Sequence, residues 1–545
     1  MPISALNKPK NLVTSPEAAP AKTLTPSVQS FLLNLQKRAF SSRDGQTIHV
    51  SSVISGAAVL YERLRYSLDY REEHLLRRHA IERIIRRRLD NRNGFREFAR
   101  PFLVELVQAQ YLKNDTVPET AIPRVQAILD RYSALLALAD QNMSGGKKTF
   151  KDWLLGLISA ELDDELAPAP EDQALVNLMV SHVIKDSALE DWPLSAEERE
   201  RQVFISCYRA LYAFDPQTLH FFLLLRSLPN WRSLNPEEAA ALWPALAEQR
   251  LIVEQALRHP AGAKLYRALK SKAIVFHALK DIIIKNQNGI NDLLLSEAKL
   301  YSVLEETCRR YYVGARGRLY RSAVRSTIYI FLTKIILALA AEAPAEQFLY
   351  GVVATGPLFI NTVFPPTLMF LLTVTTRFPG AGNTKQVWQL MTTLLYGGEG
   401  RIFPRVKYIA KSSAFSTGIF SLFYLFTFTV TFGAIIVILQ KINFTPVSLF
   451  FFLFFLTVVS FFAIRIRQPV RDLFVSSQRE NIFLVLINFF SLPILRVGQV
   501  ISLTSARFNV FLYLFDYLLE APFKSFLAVF EDVLGFFREQ REEIV

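Results

Sequence analysis

The chain has 545 residues, which is too long for one ordinary domain and predicts at least two. Its two cysteines, Cys207 and Cys308, exclude a disulfide framework and a cysteine-based zinc site. The formal net charge of +13 fits either nucleic acid or anionic lipid as a partner. Long apolar runs in the second part of the chain favour lipid, because membrane proteins carry positive charge on their cytosolic flanks.

The first part of the chain has the pattern of a soluble helical region, with apolar residues spaced by charges. Met1–Val28 lacks the apolar core of a signal peptide, so we expect a cytosolic location for this helical region. We predict a disordered lead-in at 1–30, a basic helical subdomain at 31–141 and a helical cytosolic subdomain at 149–322. The linker Asn142–Lys148 separates the two subdomains. Asn235-Pro236 is a strong start signal for a helix to about His259.

The second part predicts a polytopic α-helical membrane domain at 323–475, with a basic cytosolic loop at 377–413. Segments 415–439 and 447–464 are long enough to cross an apolar core of about 30 Å, whereas the segment 326–341 is short. The expected spans are Ser326–Ala341, Phe348–Thr376, Phe415–Leu439 and Val447–Ile464. The fold class is therefore all-α, with about four spans.

Lysine and arginine in the connections predict the orientation. Basic residues precede the first span, fill the loop 377–413 and follow the fourth span. The predicted loop after the first span holds Glu342 and Glu346 and no basic residue, and the connection before the fourth span has only Lys441. This alternation places both termini in the cytosol, and we expect a plasma or inner membrane.

The end of the chain, 476–545, predicts amphipathic helices on the membrane surface. Asp516, Glu520 and Lys524 recur every four residues, which makes one polar stripe beside a wide apolar face. Such a helix lies in the interface, where its charges stay hydrated. The weaker apolar run Ile482–Leu503 contains Pro493 and Arg496, which argue against crossing.

Two features of the spans are candidates for an intramembrane polar site. Lys334 lies near the middle of the first span, where an ammonium group is costly. From Gln347 to Arg471 the only acid is Glu399, so no carboxylate of the other spans neutralises Lys334, and we expect Lys334→Leu to be tolerated. Asn361 with Pro365 and Pro366 predicts a break in the second span, either a plain kink or re-entrant turn, which we favour, or a site lined by freed carbonyls.

Two clusters of arginines are candidate contacts for anionic lipid or a protein partner. The first, in the dense charge run from residue 70 to 90, also contains acids, so a solvated, ion-paired helix face is the main alternative. The second cluster lies just before the first span. The candidates are Arg77, Arg78, Arg86, Arg87, Arg88, Arg318, Arg321 and Arg325.

No catalytic motif stands out, and we expect neither a cofactor nor a metal. The leading hypothesis is an integral membrane scaffold that presents its cytosolic helices to protein partners. The alternative is an uncoupled pore or transporter for lipid or small anions, and a lipid-modifying enzyme comes third. The spans discriminate between the first two, because a scaffold packs dry whereas a transporter needs a polar cavity around Lys334 and Asn361.

Overall fold

The computed structural model describes residues 23–36, 47–49, 73–90, 94–142, 147–186, 188–189, 191–212, 215–398, 400–408, 414–476 and 482–507. Every regular element within these ranges is a helix, apart from one isolated bridge between Thr47 and Pro118. The all-α prediction is thus confirmed for the described residues. The predicted lead-in up to residue 22 and the proposed surface helices beyond Arg507 lie outside them.

The helices of the first part are short to medium in length. They are α1 (Pro26–Gln36), α2 (Glu73–Asp90), α3 (Ala99–Gln108), α4 (Ala121–Asn142), α5 (Lys147–Leu166), α6 (Pro170–Lys185), α7 (Ala196–Leu211), α8 (Pro216–Ser227), α9 (Pro236–Ala241), α10 (Trp243–Arg258), α11 (Pro260–Lys270), α12 (Ala273–Lys285) and α13 (Ile290–Leu295). A capping box between Asn235 and Glu238 begins α9 and confirms the predicted start. The predicted single helix to about His259 instead divides at Leu242, next to Pro244 in the first turn of α10.

Two apolar cores hold these helices together. One core combines α2 to α5 with parts of α8 to α10, and it includes Trp231. The other combines α1, α6, α7, α11, α12 and residues further along the chain. Helices α4 and α5, on either side of the predicted linker Asn142–Lys148, both contribute to the first of these cores.

The second part contains the long apolar helices. They are α14 (Glu297–Leu337), α15 (Ala343–Tyr350), α16 (Thr355–Val374), α17 (Ala381–Tyr396), α18 (Ala414–Lys441), α19 (Pro446–Arg471) and α20 (Ile482–Arg507). By length and composition, four helical segments among the described residues can cross a membrane: α14 with α15, α16, the part of α18 from Gly418, and α19. The prediction of about four possible spans is confirmed at this level.

The first span is longer than predicted. A π-helical turn, Ala338–Glu342, joins α14 to α15, so the helical path continues to Tyr350. Pro344 explains the π turn, because proline has no N–H to donate and its ring clashes with the preceding turn. Glu342 and Glu346, which the sequence analysis assigned to a loop, therefore lie within the helical span.

The second span is not broken at its prolines. Pro365 and Pro366 are both buried inside the uninterrupted helix α16. The predicted basic loop 377–413 also contains regular structure, namely α17. Val387, Met391 and Leu395 of α17 pack in the same core as α6, α7 and α12. Helices of the first part thus pack around a segment that lies between two candidate spans in the sequence.

The last described helix, α20, packs against α18 and α19. The hydroxyl of Thr431 in α18 donates to the carbonyl of Phe490 at 3.1 Å. Gly498 lies against the backbone of Thr457 in α19, where an added Cβ would come within 2.1 Å of the Thr457 carbonyl oxygen. Both threonines lie near the middle of their helices, so the prediction that Ile482–Leu503 lies on the membrane surface is not confirmed.

Candidate functional site

A buried polar cluster lies where the first, second and fourth candidate spans meet. Its members come from α14, the π turn, α15, α16 and the first turn of α19. Each of the five has 0% exposed surface: Lys334, Glu342, Glu346, Asn361 and Ser448. The structure therefore brings together the two polar residues that the sequence singled out, and it adds three that were missed.

Lys334 has an acidic partner, contrary to the expectation from the sequence. Its Nζ donates to Oε2 of Glu342 at 2.7 Å. The π turn explains the pairing, because it inserts one extra residue and gives Glu342 the helical position that residue i+7 would otherwise take. The rings of Phe451 and Phe455 cover the ammonium group, with centroids 5.2 and 4.8 Å from Nζ.

Asn361 connects this ion pair to two further helices. Its Nδ2 donates to Oε1 of Glu342 and, at 2.8 Å, to the backbone carbonyl of Ser448. Because both acceptors can only accept, the orientation of the amide is fixed. The Oδ1 atom has no hydrogen-bond partner among the described residues. Asn361 thus fixes α16 against the π turn and α19 at the same time.

Glu346 joins the beginnings of two helices. It accepts hydrogen bonds from the hydroxyls of Thr445 and Ser448, the latter at 2.6 Å, and from the backbone N–H of Ala354 at 2.8 Å. Ala354 precedes α16, and Thr445 is the N-cap of α19. The positive ends of both helix dipoles therefore face this carboxylate and stabilise its negative charge.

The charges in the cluster are balanced. Glu342 neutralises Lys334, and the two helix N-termini, each equivalent to roughly half a positive charge, offset Glu346. A buried pair of this kind is weak evidence for added stability, but removing one partner typically costs about 3–5 kcal/mol. The arrangement can therefore hold three spans in one fixed geometry.

Pro365 and Pro366 lie beyond Asn361 in α16, within the same helix. Proline cannot donate to the residue four positions earlier, so the carbonyls of Asn361 and Thr362 lack their usual helical partners. The two prolines thus belong to the helix that carries the site, and this helix continues through them without a break.

The arginines of α2 are committed to contacts inside the protein. Arg77 pairs with Asp163, Arg86 with Asp152 and Glu82, and Arg87 with Glu105. Buried Arg78 lies 2.7 Å from Asp215, and Arg88 donates to the carbonyl of Gly94 at 3.0 Å. These contacts favour the ion-paired helix face over a lipid or partner surface for these five residues.

The arginines before the first span are different. Arg318, Arg321 and Arg325 are exposed on α14. Within the described ranges, no carboxylate lies within ion-pair distance of any of them.

A second buried ionic cluster lies in the first part of the chain and was not predicted from the sequence. Glu161 accepts from Arg131 at 2.6 Å, and from the Tyr132 hydroxyl and the Trp231 indole at 2.8 Å each. Burial raises the pKa of Glu161, while Arg131 and Trp231 oppose that rise. A cleft of about 460 Å³ beside the cluster is lined in part by Arg124. Because its charges pair with one another, the cluster fixes the relative positions of α4, α5 and residue 231.

Among the described residues, no group of three or more His, Cys, Asp and Glu side chains has the geometry of a metal site. Comparison of the chain with protein families, with characterised proteins and with solved structures finds no match.

Proposed function

We propose that this protein is an integral membrane scaffold, which holds a helical soluble platform in a fixed orientation to the bilayer for protein partners. The observation that carries the proposal is the single helix α14. It extends over 41 residues from the soluble core into the membrane region without a break.

Both ends of α14 are held by packing. Leu300, Leu304 and Cys308 are fully buried in a soluble core. Lys334, near the other end, belongs to the buried polar cluster between the spans. A continuous helix fixed at both ends transmits orientation, whereas a flexible linker would allow the two parts to move independently.

A second connection supports the same role. Asn383 of α17 donates to the Tyr312 hydroxyl and to the carbonyl of Leu473, both at 2.9 Å. Its Oδ1 accepts from the N–H of Val475 at 3.0 Å, and Lys272 donates to the Val475 carbonyl at 2.9 Å. The end of the fourth span is thus bound to α17 and to the soluble helices, independently of the chain path through α14.

The polar cluster also favours a scaffold. Its side chains are enclosed and its charges are matched within the protein, as expected for a dry contact between spans. The second candidate function is a pore or transporter for lipid or small anions. The observation that favours it is the presence of Lys334 and Asn361 at one intramembrane site.

Flux through reconstituted vesicles separates the two functions. A scaffold should give the same efflux of a small anion, and the same lipid scrambling, as protein-free vesicles. Transport that is lost in Asn361→Leu, while the protein still inserts, would establish the alternative.

Partner binding needs its own test in native membranes. A photoreactive amino acid at exposed Leu251 or Leu295 of the soluble part should give a discrete protein adduct. The same group at exposed Phe420, which faces outward from a span, serves as the control. The absence of any adduct at the soluble positions would argue against a scaffold for protein partners.

A further inference from the structure

Exposed arginines lie near the ends of the first, second and fourth spans that meet the soluble part. Three of them follow a spacing of three and four residues along α14, so they lie on one face of that helix. The others flank the ends of α16 and α19. The six are Arg318, Arg321, Arg325, Arg377, Arg465 and Arg471, which we call the basic belt.

Packing shows that the segments which carry the belt lie side by side. Ala315 and Leu319 of α14 form a small apolar cluster with Val470 of α19. Phe378, next to Arg377, packs against the same cluster. The segments that carry the belt are therefore neighbours, one turn or two from the point where each span ends.

The charges of the belt are not matched within the described part of the protein. None of the six has a carboxylate within 4 Å there, and the nearby acid Asp472 contacts Lys270 at 3.7 Å. Many arginines of the first part do pair with carboxylates, as with Arg77 and Arg87 of α2. Six exposed guanidinium groups without such a partner, on neighbouring segments, favour an anion supplied from outside the protein.

We infer that the basic belt is a binding surface for the phosphate groups of anionic lipids, in the leaflet next to the soluble helices. Guanidinium groups bind phosphate through paired hydrogen bonds. The belt adjoins the apolar runs of the three spans, which begin at Ser326 and end at Thr376 and Ile464, so we place it at the level of the lipid headgroups. This role adds lipid recognition to the proposed scaffold and does not depend on it.

The test uses the full chain in vesicles that contain spin-labelled phosphatidylglycerol or phosphatidylcholine. The fraction of immobilised label measures the preference of the protein for each lipid. We expect the wild-type protein to prefer phosphatidylglycerol, and we expect that preference to fall at high salt. In the triple variant Arg318→Gln, Arg321→Gln, Arg325→Gln the preference should fall at least about fivefold, since one arginine near an anionic surface contributes a factor of that size.

Two further variants keep the test decisive. The triple variant Arg100→Gln, Arg124→Gln, Arg226→Gln removes the same charge from the soluble surface and should leave the preference unchanged. The triple variant Arg318→Lys, Arg321→Lys, Arg325→Lys keeps the charge and the insertion signal, and should retain most of the preference. An unchanged preference in the belt variant, or an equal loss in the soluble control, would overturn the proposal.

Discussion

The ammonium Nζ of Lys334 lies 2.7 Å from Oε2 of Glu342, and both side chains are fully buried between candidate membrane spans. The two residues share one helical path, in which the π turn brings them to the same face. The pair changes what is expected of substitutions in the spans, because neither charge can be removed alone without leaving the other uncompensated.

We therefore expect Lys334→Leu to destabilise the protein by about 3–5 kcal/mol, and not to be tolerated as the sequence suggested. The double variant Lys334→Leu, Glu342→Gln should recover most of that loss, because it removes both charges and keeps a side-chain oxygen that accepts from Asn361. Unfolding in detergent, followed by the helical circular dichroism signal, measures the difference. Lys441→Leu, at the exposed end of α18, is the control. Equal stability of Lys334→Leu and wild type would show that the pair is not formed.

Gly498 tests whether α20 packs directly on the fourth span. An added Cβ would lie 2.1 Å from the carbonyl oxygen of Thr457, and backbone cannot move aside as a flexible side chain can. We expect Gly498→Ala to destabilise the membrane region by about 1–3 kcal/mol, the usual range for overpacking. Gly433→Ala in α18, where nothing lies within 4 Å of the added atom, is a matched control. Thermal melting in detergent compares the two, and similar melting temperatures would contradict the placement of α20.

The burial of His220 should lower the free energy of unfolding of the first part of the protein in acid. Burial lowers the pKa of His220 from 6.5 to about 4, and its Nδ1 accepts from the Trp153 indole at 3.0 Å. The unfolded chain therefore binds the proton first, so stability is full above pH 6.5 and falls as the pH drops towards 4. The contribution is about 3 kcal/mol at 1.36 kcal/mol per pKa unit.

Urea unfolding at pH 7 and pH 5 measures this contribution. The free energy of unfolding should change less between the two pH values in His220→Gln than in wild type. Exposed His49→Gln should behave like wild type, and a wild-type pH dependence in His220→Gln would refute this assignment.

Reporter fusions test the orientation predicted from the basic residues. A reporter after Thr445, between the third and fourth spans, should lie on the side of the membrane opposite the soluble helices. A reporter after Ser476 should lie on the same side as those helices, because the fourth span ends at its contact with Asn383. The reverse pattern would require a different number of crossings.

Apolar length and charge spacing were sufficient to predict the helical class, the candidate spans and the start of α9 at Asn235. They did not predict the end of the first span, because Glu342 and Glu346 looked like loop residues when counted by charge alone. The available signal was length. A span that ends at Ala341 is too short for the apolar core of a bilayer, which indicates that the helix continues past Pro344. Nor did local sequence indicate that α17 packs in the soluble core, because Val387 and Met391 find their partners far away in the chain.

The distance between Val313 and Ile336 tests the central claim most directly. Both residues are exposed on α14, on opposite sides of the start of the first span, and an unbroken helix places them about 35 Å apart at 1.5 Å per residue. Spin labels at these two positions, with Cys207 and Cys308 replaced by serine, allow the measurement by pulsed electron resonance in lipid nanodiscs. A single narrow distribution near that distance is the result expected of a rigid scaffold. A broad or two-peaked distribution would show a hinge between the soluble and membrane parts, and would contradict the proposal.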